Sequence, residues 1–303
     1  MSLSAALAAL IWSHFHPHKS LIPENMARQW HAWLLENFNA GHSSQGVLAW
    51  GAGVLLPALG LAFLANLLGE ALAVLGWAFE VLVLYFCLGF REASFRAAGV
   101  ARALLVEDIA RARATLESWR PSTPSGRDAE GIARITVEEV LKAALSTLLG
   151  VLFWYFLFSM AGLGVAGAVA YRLALLCRDL WHGEAEFDSF SLRASHVLDW
   201  LPVRAAAFSF AIVGNFQDAL ESWRGQAHAW GDENQGILLA AGAGALGVQL
   251  GGNIAVSGGE LLRPPLGTEE VAGPDNIEGA IALVWRTAML WLAVVGLLWL
   301  GGL

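Results

Sequence analysis

Runs close to twenty apolar residues long recur along this chain, at Val47–Leu68, Leu72–Phe90, Leu148–Leu176 and Ala280–Leu300. An α-helix rises 1.5 Å per residue, so about twenty such residues match a bilayer core of roughly 30 Å. Hydrocarbon offers no partner for backbone N–H and C=O groups, which leaves the helix as the conformation for each run. Composition agrees. Of the 303 residues 56% are hydrophobic and 15% charged, where a soluble domain carries about 25% charged residues. The expected fold class is all-α, a polytopic helical membrane protein with 4–6 transmembrane helices. Four runs are clear; Val197–Gly214 and Gly236–Val256 raise the count to five or six.

The order of the runs gives a topology. Gly69-Glu70-Ala71 joins the first two as a tight hairpin, with Pro57 a kink in the first. Residues 91–147 hold 9 of the 18 basic residues, and basic residues in a short loop mark the cytoplasmic side. Leu105, Ile109, Ala112, Leu116 and Trp119 recur at helical spacing there, and Pro121-Ser-Thr-Pro-Ser-Gly126 ends that helix. A second helix starts near Asp128 and runs into the span from Leu148. The loop is therefore expected to be a folded cytoplasmic hairpin inserted in a single membrane domain covering 1–303. Leu3–Ser13 lacks the basic start of a cleaved signal and is too short to span, so it reads as an interfacial helix.

Several functions are disfavoured. A net charge of −8 with only two lysines, Lys19 and Lys142, argues against a nucleic-acid partner. Cys87 and Cys177 lie in or beside apolar runs as free thiols. Gly162/Gly164/Gly167 and Gly242/Gly244/Gly247 match the Gly-x-Gly-x-x-Gly pattern, but both lie inside apolar runs. Close helix packing is the favoured reading. His14, His16 and His18 suggest a metal cluster without a closed ligand set, so no metal site is assigned.

Polar groups in apolar surroundings need partners, and these mark the candidate site. Glu80, Arg172, Arg204 and Arg286 fall at membrane depth. Around Arg204 polar groups converge, with Asp199 before it and Asn215, Asp218, Glu221 and Arg224 after it. The small-residue run Gly236–Gly252 is flanked by Asn234 and Asn253, and a Gly/Pro loop with Glu260 and Arg263 follows. Loop glycines let main-chain amides approach a bound anion. The reading is a ligand cavity with a glycine-lined floor.

Ala243-Gly-Ala-Leu-Gly-Val-Gln-Leu-Gly-Gly252, Gly258-Gly-Glu-Leu261 and Arg263-Pro-Pro-Leu-Gly267 resemble the C-terminal part of the CobD/CbiB family of adenosylcobinamide-phosphate synthases. So do Asn234-Gln-Gly236, Pro202 with Arg204, Asp108–Leu116, Gly126-Arg-Asp128 and Val137-Glu-Glu-Val140, in that family's order. Lys142, Ala143, Ser146 and Thr147 stand where the family pattern carries Glu, Asn, Asp and Gly. The resemblance implies a multi-pass protein of the bacterial inner membrane that joins aminopropanol phosphate to adenosylcobyric acid by an amide bond. ATP and Mg²⁺ would be its cosubstrate and cofactor. It also implies Glu138 and Glu139 as catalytic residues, with Arg204, Asn234 and Arg263 holding ligand and Asp199 orienting Arg204. Asn215, Asn253 and Glu260 complete the expected ligand-binding set. The implied partners are the lipid bilayer and a corrinoid or other anionic small molecule; oligomeric state is left open. Leu149–Tyr155 and Val197–Arg204 also resemble AmpE, an inner-membrane protein associated with β-lactamase regulation. The replaced acid and amide positions motivate the alternative of a non-enzymatic, AmpE-like membrane sensor or scaffold.

Overall fold

The computed structural model describes residues 2–15, 22–39, 42–121, 126, 128–184, 186–256 and 259–301, without the side chains of 2, 14, 22–24, 254–256 and 259–260. In chain order the helices begin with α1 (Ser2–Phe15), α2 (Ile22–Phe38), α3 (Ser43–Trp50), α4 (Leu56–Ala71) and α5 (Ala73–Cys87). There follow α6 (Phe90–Leu105), α7 (Ile109–Trp119), α8 (Ala129–Ala144), α9 (Gly150–Ser159), α10 (Gly164–Trp181) and α11 (Ser189–Val213). The last are α12 (Phe216–Gln226), α13 (Glu233–Leu246) and α14 (Pro274–Leu300). Four three-residue strands lie between α13 and α14: β1 (Gln249–Gly251), β2 (Ile254–Val256), β3 (Gly259–Leu261) and β4 (Pro265–Gly267). They make two antiparallel pairs, β1 with β4 and β2 with β3. This strand pair within pair is the one departure from an all-helical chain among the described residues.

Among the described residues five helical stretches are long and apolar enough to cross a membrane: Ser43–Ala71, Ala73–Leu105, Ala129–Ser159, Ser189–Val213 and Pro274–Leu300. The protein is a multi-pass helical membrane protein. Three sequence expectations change. Leu148–Leu176 is not one span: Gly162, at φ +72°, turns the chain between α9 and α10, which pack together. Gly236–Val256 is not a span either. Its helix α13 has 14 residues, about 21 Å, and Gly247 ends it in the left-handed region at φ +69°. The amphipathic segment 105–119 is not one helix, because the chain bends at Glu107 (φ +59°) and Asp108 caps α7 by accepting from Arg111 N.

The chain divides into two compact units. The first holds residues 1–89 and 146–202. In it α4 and α5 form the expected hairpin, reversed at the extended residue Leu72. A Cβ on Gly76 would lie 2.6 Å from Gly69 Cα, so the two backbones touch. A π-helical turn at Gly51–Leu55 precedes Pro57, whose missing N–H leaves the preceding ladder open. α1 packs on α5, with Trp12 stacked on Tyr85. α9 meets α10 through glycine: a Cβ on Gly167 would sit 2.3 Å from Trp154 O. The apolar centre gathers Leu34, Val54, Cys177, Trp181 and Phe187. Glu80 accepts from Tyr155 at 3.4 Å, and Arg172 donates to Ser146 O at 2.9 Å.

The second unit holds residues 90–145 and 203–303. α6 packs against α7, α8 and α14, and α13 against α12, α8 and β4. Gly242 makes room for Leu141 and Gly244 for Asp218 O, where an added Cβ would come to 2.5 and 2.3 Å. Both Gly-x-Gly-x-x-Gly matches are thus close-packing glycines with one glycine at a helix end. Arg286 donates to Val213 O at 3.2 Å, closing the carboxyl end of α11, so its role there is structural. Cys87 and Cys177 are free and buried. His14, by its side chain, and His16 and His18 lie outside the described residues; no metal-holding group appears among the described ones.

Two outcomes follow from this packing. Gly244→Val drives a side chain into Asp218 backbone and should lower stability by about 2 kcal/mol or more, whereas Gly60→Ala, with open space around it, should be neutral or stabilise by about 0.5–1 kcal/mol. Thermal unfolding of the purified protein in detergent measures both. His31 is fully buried, its Nδ1–H donates to Ala27 O at 2.7 Å and its Nε2 has no partner. Burial holds its pKa below the ordinary imidazole value. The unfolded chain therefore takes up this proton first as pH falls. The stability from neutral His31 is complete above about pH 6.5 and is lost as pH drops through the lowered folded value. Melting temperature should decline from pH 7 to 5 in the wild type, and less steeply in His31→Gln.

Candidate functional site

The polar groups predicted to cooperate collect in the second unit, around the amino end of α13 and the β1–β4 ladder. α8 supplies the centre. Asp128 caps it by accepting from Gly131 N at 2.9 Å, and Gly126 fits against Gly131 because it has no Cβ, which would come to 2.5 Å from Gly131. Gly126-Arg-Asp128 is therefore the start of the helix that carries Glu138. Arg127 lies outside the described residues.

Glu138 is 2% exposed. Its Oε1 accepts the Gly251 N–H at 2.9 Å and its Oε2 accepts from Arg263 Nη1 at 2.6 Å. Arg263 also donates to Gly251 O at 3.3 Å and lies over the Trp230 ring at 5.6 Å. One turn earlier on α8, Arg134 donates to Gly251 O at 3.1 Å and Asn253 O at 3.4 Å, and pairs with Glu130. The turn they grip has φ +62° at Gly251 and +66° at Gly252, a left-handed pair suited to glycine. Glu139, 4% exposed, pairs with Arg120 at 3.0 Å and with Lys142. Removing Arg263 from its pair with the buried Glu138 costs roughly 3–5 kcal/mol, because that carboxylate is left without compensation.

A second cluster forms where α11 meets α13. Arg204 donates to Glu233 Oε1 at 2.8 Å and to Asn234 Oδ1 at 3.3 Å, and Asn234 is 4% exposed. Trp230 touches both α13 and the Gly251 turn. Its Cβ lies beside Gly236, where an added Cβ would come to 2.9 Å, and its ring lies beside Gly251 at 3.0 Å from such a Cβ. Neither Trp230 nor Arg134 entered the expected site. Arg134 carried a signal in its helical spacing, four residues before Glu138 on one face; Trp230 carried none.

The remaining expected residues lie as follows. Asp199 belongs to the first unit, where it accepts from Tyr171 at 2.7 Å and faces Arg178 at 3.6 Å. Arg204 pairs with Glu233 and Asn234. Asn215 caps α12, accepting from Asp218 N at 3.3 Å, and its own N–H donates to Ala245 O. Asn253 is exposed and offers its carbonyl to Arg134. Glu260 pairs in β3 with Ala255 of β2, and its side chain lies outside the described residues.

The pieces that meet here are those that resemble one family. A model of the CobD/Cbib protein family matches residues 3–284. A cobalamin biosynthesis protein CobD of Stutzerimonas stutzeri is 37% identical over 271 residues, covering 86% of each chain. CobD of Chromobacterium violaceum is 35% identical over 219 residues, 71% of this chain and 68% of its own. CbiB of Salmonella arizonae is 28% identical over 242 residues, 75% and 74% respectively. No solved structure matches. With a family model spanning nearly the whole sequence and a relative this similar, the chain belongs to the CobD/CbiB family.

Proposed function

We propose that this protein acts in cobalamin biosynthesis by joining aminopropanol phosphate to adenosylcobyric acid through an amide bond at the expense of ATP. The observation that carries the reading is Glu138. A carboxylate at 2% exposure, held by one main-chain amide and one arginine, stands where family-like segments from α8, β1 and the Arg263–Gly267 turn converge. Joining an acid to a phosphorylated amine requires two anionic reactants close together. Arg263, Arg134 and the Gly251 amide offer donors for one. Arg204 with Asn234, at the amino end of α13, offers donors for the other. Arg204 and Asn234 bind and orient; Glu139 keeps the Arg120 guanidinium and the Lys142 ammonium in place, and Glu138 does so for Arg263 until ligand enters.

Magnesium in such a reaction travels with the phosphates and neutralises charge on them. The described residues include no cluster of three His, Cys, Asp or Glu side chains, and Glu138 and Glu139 each face cations. The donor set fits phosphate held by arginine and amide, and supplies no cage of its own for a metal. The pairing of both acids, with Lys142 on Glu139, is also the observation that favours the second reading, a non-enzymatic membrane scaffold.

Complementation separates the two. Expressed in a strain lacking cobinamide-phosphate synthase, the wild type should restore growth that depends on endogenous cobalamin synthesis. Normal membrane expression without rescue would remove the enzymatic reading in favour of the scaffold. Arg204→Ala should insert normally and lower the rate by about 100-fold, since Asn234 loses a charged partner; full rescue by this variant would reduce Arg204 to a structural role.

A further inference from the structure

We infer that Glu138 occupies, in this conformation, a binding site for a phosphate group, and that ligand entry displaces it. The inference rests on the synthase reading for the identity of the ligand, and names the group of the substrate that this corner takes. The carboxylate is bound by one backbone N–H and one guanidinium, the two kinds of donor from which phosphate-binding turns are built. Behind it the backbone is bare: a Cβ at Gly252 would come to 3.0 Å from Arg134 Nη1, and one at Gly251 to 2.1 Å from Pro264 O. Only glycine lets this chain lie so close to both.

Two features distinguish a filled ligand site from an ordinary buried ion pair. Arg134 is 5% exposed, and both its Nε and that of Arg263 are buried without a hydrogen-bond partner. A carboxylate has two oxygens, and both are engaged by Gly251 and Arg263; a phosphate monoester brings three terminal oxygens and up to two charges. The charges point the same way. At the turn Arg134 and Arg263 face Glu130 and Glu138. That pairing is balanced with Glu138 in place and leaves a cation in excess once its side chain swings away, which an entering phosphate neutralises. The Trp230 ring under Arg263 holds the guanidinium at this place when its carboxylate partner leaves.

Phosphate affinity of the purified full-length protein in detergent tests this without reference to activity. Glu138→Gln removes the competing charge and should bind inorganic phosphate roughly tenfold tighter than the wild type, and adding Arg263→Ala should abolish that gain. Glu138→Asp keeps the charge but withdraws its reach, and should give a smaller gain, which guards against misfolding of the Gln variant. Acetate at matched ionic strength should not bind. Displacement of phosphate by aminopropanol phosphate or by a non-hydrolysable ATP analogue supports the assignment and tells which substrate's phosphate is held. The inference is overturned if both Glu138 variants bind phosphate no tighter than the wild type, if acetate binds equally, or if neither competitor displaces phosphate. Tight binding with failed complementation would leave this site standing and remove the synthase reading; rescue with no gain in binding would do the reverse.

Discussion

A carboxylate buried on α8 needs partners, and in this protein it takes them from a chain segment more than a hundred residues away. Glu138 joined to Gly251 and Arg263 links the polar beginning of a membrane helix to the strand ladder behind α13. Leaving such a charge unpaired in a low-dielectric interior costs several kcal/mol. The position of the Gly251–Gly252 turn, and with it the geometry of the site, therefore depends on this contact. Arg134 reinforces it from the same helix face by holding the carbonyls of Gly251 and Asn253.

Apolar packing allows that contact to form. α13 is buried along nearly its whole length and carries no charge after Glu233, so it can be surrounded by helices. Gly242 and Gly244 bring Leu141 and the α12 backbone against it. Gln226 then pairs through its side-chain amide with both the N–H and the C=O of Gly267, at 2.6 and 3.0 Å, and so acts as an extra strand partner for β4. The glycines bring the helices close, and the short strands place Arg263 opposite Glu138. Long membrane helices alone would supply neither the left-handed turn nor its approach to the guanidinium groups.

Much of this was legible beforehand because it depends on local pattern. The hairpin before Leu72, the start of α8 at Asp128 and the packing role of both glycine triplets all follow from nearby residues. Misreadings arose where one-dimensional hydropathy competes with three-dimensional burial. Gly236–Val256 is apolar enough to resemble a span, yet it is apolar because protein surrounds α13. Leu148–Leu176 is long enough for a single span, but Gly162 adopts a positive φ and the chain turns back. Trp230 was overlooked because an aromatic residue in a polar loop has no periodic signature; it matters only through the ring faces it presents to Arg263 and Gly251.

By itself the sequence determined a multi-pass helical membrane protein, its family-like segments and the residue types gathered in them. Hydrophobic length and residue spacing are sums over neighbours in the chain, so they survive without a fold. Which charges neutralise one another was decided only by the tertiary structure. Arg204 binds Glu233 and Asn234, Asp199 is held by Tyr171 and Arg178, and Glu138 reaches Gly251 and Arg263. Pairing is set by distance in space, and a few ångströms decide it.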